Sequence, residues 1–169
     1  MDVKTYIKQQ TANAWRQVEA VMKDTTEEQF NWLPSGTINP ISAILIHLLA
    51  GEDFFIQTIL QGKPRGWETQ GWGAKIGIQT PPGPSGGWEE FKTVRIQAAP
   101  MLAYGQAIHA ATDAYLDALT PEELDRQVTF AGRVVPAAEV LMILVVHIAS
   151  HAGEMAAVKG MQGIKGLPF

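Results

Sequence analysis

Two histidines and a glutamate stand at helical spacing inside a strongly apolar stretch near the end of the chain. His147, His151 and Glu154 lie within residues 140–154, where most of the other residues are Val, Ile, Leu and Ala. Spacings of four and three residues place these side chains on one stripe of an α-helix, and their apolar neighbours direct that stripe into the interior. Buried polar groups are costly without partners, and a bound metal ion is one partner that would satisfy the whole cluster.

A third histidine, His47, stands in the other strongly apolar stretch, residues 40–60. If the helices that carry these stretches face each other, His47 converges with His147 and His151. Three neutral imidazoles can hold a metal with a position open to water or substrate. Zinc or nickel suits such a site best, and iron or manganese can also take it. Glu154 is then the candidate catalytic residue, as a general base, a fourth ligand or an orienting partner of a ligand.

Several residues near this set invite other interpretations. An H-x-x-x-H pair alone is a weak signal, so a helical protein whose histidines are satisfied by hydrogen bonds and water stays open. His109 has neighbours compatible with a surface, which predicts that it is not a ligand. Glu52 and Asp53 follow His47 but leave its stripe, so we expect them to be solvated or ion-paired. Gly51, one turn after His47, predicts an open space beside that imidazole.

The elements that must position these residues are four long helices, which predict an all-α protein built as a four-helix bundle. Apolar periodicity predicts helices over about 2–23, 40–60, 88–119 and 136–161, the third broken or kinked at Pro100. Thr25 is the expected cap of a short turn after the first helix. Asn39 is the expected cap of the second helix, with Pro40 at its first position. Residues 128–135 alternate around a glycine and suggest a small hairpin.

Residues 61–90, between the second and third helices, differ from the rest in composition. They hold half of the sixteen glycines and three of the five tryptophans, together with four prolines. Loops of this length are often functional, and large aromatic side chains normally pack on something. A lid over a pocket, a dimer contact and an ordered surface excursion all fit this composition. Trp72 is the residue we assign to a pocket wall.

Composition bounds the remaining possibilities. A chain of 169 residues with 46% apolar and 18% charged residues predicts one globular domain over residues 1–169. A net charge of −4 without a basic run argues against nucleic acid and anionic lipid as partners. The absence of cysteine excludes disulfides and thiolate ligands from this chain. No signal-like N-terminus and no uninterrupted apolar run of roughly 18 residues is visible, which predicts a cytoplasmic protein without a membrane span.

The residues around the histidines resemble the DinB-like superfamily of bacterial four-helix-bundle proteins. The resemblance rests on three segments, which are Asn-Pro-Ile-Ser-Ala-Ile-Leu-Ile-His-Leu-Leu-Ala-Gly-Glu at 39–52, Val-His-Ile-Ala-Ser-His-Ala-Gly-Glu-Met-Ala-Ala-Val-Lys-Gly at 146–160 and Gln-Gly-Ile-Lys-Gly-Leu-Pro-Phe at 162–169. It covers nearly the whole chain in length and element order. It implies a divalent metal held by His47, His147 and His151, frequently in a homodimer.

The resemblance also bears on activity. Well-understood relatives are thiol-dependent isomerases and transferases that use mycothiol or bacillithiol. Some of them place a glutamate at the first ligand position of the fourth helix, where this chain has His147. The resemblance implies a metal-dependent enzyme acting on a small substrate, either a hydrolase or a transferase using a low-molecular-weight thiol. A non-catalytic metal-binding protein of the stress response is the alternative.

Overall fold

The computed structural model describes residues 1–83 and 86–167 and is mostly helical. Its α-helices in chain order are α1 Val3–Met22, α2 Glu27–Phe30, α3 Ile41–Asp53, α4 Gly66–Thr69, α5 Trp72–Ile76, α6 Ala98–Asp117, α7 Pro121–Asp125 and α8 Ala137–Met161. A π-helix, Phe54–Leu60, continues α3, and a 3₁₀-helix spans Glu89–Lys92. Strands β1 Gln127–Phe130 and β2 Arg133–Pro136 form an antiparallel hairpin before α8. The all-α prediction is confirmed, and the predicted hairpin is present.

The four long helices contact one another in a way that brings the two histidine-bearing segments together. Helix α8 packs against α1 and α3, and α6 contacts the same two helices. Eleven of the thirteen residues of α3 are buried, since this helix is surrounded by other elements. Because α3 and α8 are direct neighbours, side chains on their facing stripes can meet.

The ends of two helices differ from the predictions by one residue. Thr26, and not Thr25, caps α2 by a reciprocal pair of bonds with Gln29, whereas the Thr25 hydroxyl donates to the Val21 carbonyl. Pro40 takes the cap position of α3 in an extended conformation, and no side chain caps this helix. The prediction that Asn39 caps this helix is therefore wrong. The helix begins one residue later than predicted, so the cap position falls to proline, which has no side-chain acceptor. The N–H group of Ala43 in the first turn donates to the Pro40 carbonyl instead.

The predicted third helix is two separate elements. Residues 89–92 form the 3₁₀ turn, and α6 begins only at Ala98. Pro100 is the third residue of α6 and does not kink it. In the first turn its missing N–H group would have had no partner within the helix.

The predicted second helix continues to Leu60 by changing its winding. A π-turn holds more residues per turn than an α-helix, and it occurs often at functional sites. This change follows directly after Asp53 and places Phe54 and Phe55 beside the histidines. The described part of residues 61–90 contains α4, α5 and the buried side chains of Trp67 and Trp72.

Two segments, Ile41–Leu60 and Ala137–Met161, are long and apolar enough to cross a membrane if judged by length and composition alone. Within the protein, 67% of the apolar window in the first segment is buried and 33% of the window in the second. The core helix of a soluble protein passes the same criterion, so the signal is weak. The absence of a membrane span stays a prediction.

Candidate metal centre

The structure brings together the three histidines that the sequence singled out. One ring nitrogen from each of His47, His147 and His151 lies within 4.8 Å of the others. The Nε2 atoms of His47 and His147 are 3.0 Å apart, and the three rings meet edge to face at centroid distances of 4.7–4.9 Å. His147 and His151 share a face of α8 because they are one turn apart. Their role as ligands stays a prediction.

Two of the rings are oriented by hydrogen bonds on their outer nitrogens. His47 Nδ1 lies 2.8 Å from the carbonyl oxygen of Pro82, so this nitrogen donates and Nε2 keeps its lone pair. His151 Nδ1 lies 2.6 Å from Oε2 of Glu154. Because a carboxylate accepts hydrogen bonds, Nδ1 of His151 is the donor, and Nε2 of His151 is left with its lone pair. Partners of this kind orient metal-binding imidazoles in proteins and raise their basicity.

The third ring is held by packing. His147 Nδ1 is buried and has no hydrogen-bond partner among the described residues. A Cβ atom on Gly51 would lie 2.8 Å from Cε1 of His147, and the Phe55 ring packs at a centroid distance of 5.7 Å. The space predicted beside His47 at Gly51 is therefore filled by His147. Glycine at this position permits the two helices to approach closely enough for the imidazoles to meet.

The surroundings favour the neutral form of His47 and His147. Burial lowers the pKa of His147 to about 3, and the neighbouring His47 and His151 add to the shift. Burial also lowers the pKa of His47, although its bond to the Pro82 carbonyl acts in the opposite direction. Neutral imidazole is the form that binds metal ions, so the two rings are ready for coordination at neutral pH.

The donor set fits a divalent metal. Three imidazoles with metal–nitrogen bonds of about 2.0–2.1 Å in tetrahedral geometry would have neighbouring nitrogens roughly 3.3 Å apart. The separation of 3.0 Å between His47 and His147 is close to this value. A proton on His147 Nε2 could form a hydrogen bond to His47 Nε2, but it would leave His151 Nε2 without a hydrogen-bond donor. A cation among the three nitrogens satisfies all of them together.

A cavity of about 710 Å³ opens onto the histidines. Its described walls come from α3, the π-helix, the start of α4, residues 81–83, Trp88, the hairpin turn and α8. The lining residues besides the three histidines are Ala50, Gly51, Phe54, Phe55, Arg65, Pro81, Pro82, Gly83, Trp88, Phe130 and Ala131. Trp88 packs against His47 at a centroid distance of 4.9 Å. Trp72, which we had assigned to the wall, instead packs on Tyr104. The 61–90 segment thus contributes to the wall through Arg65, Pro81, Pro82, Gly83 and Trp88.

Charges are sparse in this cavity. Arg65 is the one Lys, Arg, Asp or Glu side chain in its described lining, which therefore contains no carboxylate. Glu154 contacts His151 from outside the lining, which is the position of an orienting partner. A catalytic role for Glu154 stays a prediction.

The sequence did not predict the burial of Glu52 and Asp53. Both side chains are buried, at 1% and 0% exposure. Glu52 accepts hydrogen bonds from Trp15 Nε1 at 2.8 Å and Thr112 Oγ1 at 2.5 Å. His109 lies beside it, with Nδ1 3.3 Å from Oε1, and does not belong to the histidine cluster. Solvation was therefore wrong for both carboxylates, while the Glu52–His109 contact agrees with an ion pair if His109 is protonated.

Asp53 joins the long loop to the helices. Its carboxylate accepts bonds from the backbone N–H groups of Gly66 and Trp67 and from the Tyr104 hydroxyl, each at 2.9 Å. The sequence does contain a signal for these contacts, which is a pair of adjacent carboxylates within an otherwise apolar helix. Buried charges need hydrogen-bond or ionic partners, so such a pair predicts specific contacts with other elements.

Comparisons with known proteins agree with this architecture. The chain is similar in fold to the crystal structure of a conserved protein from Enterococcus faecalis, with a TM-score of 0.79 at 19% sequence identity, covering 94% of this chain and 96% of the other. At this identity the likeness concerns the fold alone. No curated protein matches the chain in sequence. The family profile of the DinB superfamily matches residues 10–155, so the chain belongs to the DinB superfamily.

Proposed function

We propose that this protein is a metal-dependent enzyme that joins a low-molecular-weight thiol to a small electrophilic substrate in the cavity beside the histidines. The observation that carries the proposal is the convergence of three imidazoles at one end of a large apolar cavity whose described lining contains no carboxylate. His47, His147 and His151 would hold the metal, and zinc or nickel suits three imidazole ligands best. Such an ion supplies Lewis acidity, which lowers the pKa of a bound thiol or water.

The cavity favours thiol transfer over hydrolysis that needs a general base. Base-assisted hydrolysis requires a proton acceptor within hydrogen-bond reach of the attacking water, and aspartate or glutamate often fills this role. The described lining offers no carboxylate. A thiol needs no such acceptor once its pKa is depressed, because it can lose its proton to solvent before it reacts. Its sulfur would then bond to the electrophilic carbon as the leaving group departs.

Glu154 serves this chemistry through His151. Its bond to Nδ1 fixes the orientation of that ring and increases the electron density at Nε2. Glu154 is 39% exposed in its side chain, so burial removes little of the hydration of this carboxylate. Its negative charge also offsets part of the charge of a cation held by three neutral ligands.

The fold, the oligomeric state and the location belong to the same proposal. We take the four long helices as a four-helix bundle, in agreement with their mutual contacts. A homodimer would cover the exposed side of α8, where Met142 and Val146 are 59% and 57% exposed one turn apart. Because Glu52 and Asp53 interrupt one apolar segment and histidines interrupt both, we place the protein in the cytoplasm and outside the membrane. Light scattering of a Val146→Glu variant tests the dimer, since a buried unpaired charge would dissociate it.

Elemental analysis of protein purified without tag or chelator tests the centre, beside a triple His47/His147/His151→Ala variant. About one equivalent of metal in the wild type and none in the variant is the expected result. A shift in absorbance on adding a small thiol to cobalt-substituted protein would then support thiol coordination. Metal binding without any response to thiols or to electrophilic substrates would favour the non-catalytic alternative.

A further inference from the structure

We infer that the substrate of this cavity carries a carboxylate on an apolar or aromatic body, and that Arg65 recognises the carboxylate. The inference rests on the proposed function for the place where the substrate binds. It adds the chemical class of the substrate and a residue that determines specificity.

The sum of charges in the cavity favours an anion. Three imidazole ligands are neutral, so a divalent ion among them would bring two positive charges, of which Glu154 behind His151 offsets a part. Arg65 adds a third positive charge, which Glu68 pairs from outside the cavity. The described lining contains no carboxylate to balance them. Apolar walls strengthen the effect of these charges because they lower the local dielectric constant. One thiolate neutralises one charge, which leaves the cavity positive for a second anionic group.

Arg65 is held in place for such a contact. Its Nε atom donates to Oε1 of Glu68 at 2.8 Å, and Nη2 donates to the same oxygen. Among the described residues no hydrogen bond engages Nη1, which leaves donors of the planar guanidinium for a ligand. Glu68 is 48% exposed and does not line the cavity, so solvent screens much of its charge. The pair therefore fixes the guanidinium of a lining residue, and the Nη1 donors stay without a partner among the described residues.

The cavity offers a match for one carboxylate and a poor match for a phosphate group. A phosphate dianion commonly recruits several cations or the free N–H groups of a helix N-terminus. Among the described lining residues Arg65 is the single permanent cation, and the N–H groups of Gly66 and Trp67 at the start of α4 are already bonded to Asp53. A guanidinium pairs well with a carboxylate through two parallel hydrogen bonds.

The walls indicate the nature of the substrate body. Phe54, Phe55, Trp88 and Phe130 line the cavity together with two prolines. A volume of about 710 Å³ accommodates a small molecule of moderate size. Aromatic and aliphatic groups bury apolar area against such walls, whereas a strongly polar body would lose its hydration without gaining partners.

Isothermal titration calorimetry with 4-phenylbutanoate and its neutral amide, 4-phenylbutanamide, tests the inference on zinc-loaded and on zinc-free protein. We expect the carboxylate to bind at least about tenfold more tightly than the amide, the usual effect of one charge-assisted contact. In Arg65→Gln this preference should fall to about threefold or less, with amide binding unchanged. Lys63→Gln is the matched control, because Lys63 is exposed, bonds to Gln61 and does not line the cavity.

Each outcome bears on the inference. Equal affinities for the acid and the amide, no binding of either compound, or an undiminished preference in Arg65→Gln would overturn it. A preference that survives in Arg65→Gln and disappears without zinc would place the carboxylate on the metal and overturn the role of Arg65. Zinc content is measured on the same samples. Protein that binds no zinc would contradict the proposed function, while the zinc-free titrations still test Arg65.

Discussion

Replacing Gly51 by alanine changes the histidine cluster with a single methyl group. That methyl would lie 2.8 Å from Cε1 and 3.4 Å from Nδ1 of His147. Ordinary contacts of a Cβ atom begin near 3.4 Å, so the imidazole must move by roughly 0.6 Å or more. Gly51 lies within α3, whose backbone is enclosed by neighbouring elements, and the ring is the part with more freedom to move.

A movement of this size exceeds what a metal site tolerates. Bond lengths at such sites hold to within about 0.2 Å, and removing only a partner that orients a ligand already lowers metal affinity by about 10–100-fold. We expect a loss of at least this size for zinc in Gly51→Ala. The fold should survive, because alanine gains up to about 1 kcal/mol of helix propensity over glycine. This gain offsets part of the overpacking, which typically costs about 1–3 kcal/mol.

Competition with a chromophoric chelator measures the zinc affinity, and chemical denaturation of the zinc-free protein measures the stability. Gly160→Ala is the matched control, because it makes the same substitution in α8 at a position where a Cβ meets nothing within 4 Å. The control should bind zinc as the wild type does and gain stability by up to about 1 kcal/mol. Wild-type zinc affinity in Gly51→Ala would refute the assignment of His147 as a ligand packed against this glycine.

Three further predictions follow from the same contacts. Glu154→Gln should lower zinc affinity by about 10–100-fold without unfolding the protein, measured by the same competition; unchanged affinity would remove Glu154 as the orienting partner of a ligand. The pKa of His147 is about 3 in the folded protein against 6.5 for the free side chain, so between these values the unfolded state binds the extra proton. The unfolding free energy of zinc-free protein should then fall as pH drops below 6.5, by about 1.4 kcal/mol per pH unit for this one group, and His147→Gln should have a shallower slope in denaturation series at several pH values. Asp53→Asn should cost about 2–4 kcal/mol in denaturation experiments, because in either orientation the amide NH2 would face a backbone N–H group, of Gly66 or Trp67, that the carboxylate now accepts from; Asp113→Asn, on the exposed side of α6, should change little.

The histidine cluster could be predicted from the sequence because two simple rules determine it. Residues four apart share a helix face, and long apolar helices pack on each other, so His47, His147 and His151 had few other places to lie. The order of the long helices follows from the same periodicity. The family resemblance agreed with both, and the match to the DinB superfamily over residues 10–155 supports it.

The cavity wall that the 61–90 segment contributes could not be predicted, because it depends on contacts between residues distant in the chain. Nothing local shows that the Pro82 carbonyl reaches His47, that Trp88 rather than Trp72 forms the wall, or that Arg65 lines the cavity. Each depends on how the 61–90 segment folds back, and glycine and proline leave many backbone paths open there. The one-residue errors at Thr25 and Asn39 are of another kind, since adjacent residues compete for the same cap.

The bond between His47 and Pro82 links the metal centre to access into the cavity. Pro82 belongs to the wall, so displacing the wall removes the partner that orients His47. Linkage is reciprocal: if a closed wall favours metal binding by some factor, bound metal favours the closed wall by the same factor. Metal loading and cavity opening are then two legs of one thermodynamic cycle. The metal-free protein should accordingly be the state in which this wall opens most readily, and a substrate that holds the wall shut should also slow the loss of the ion.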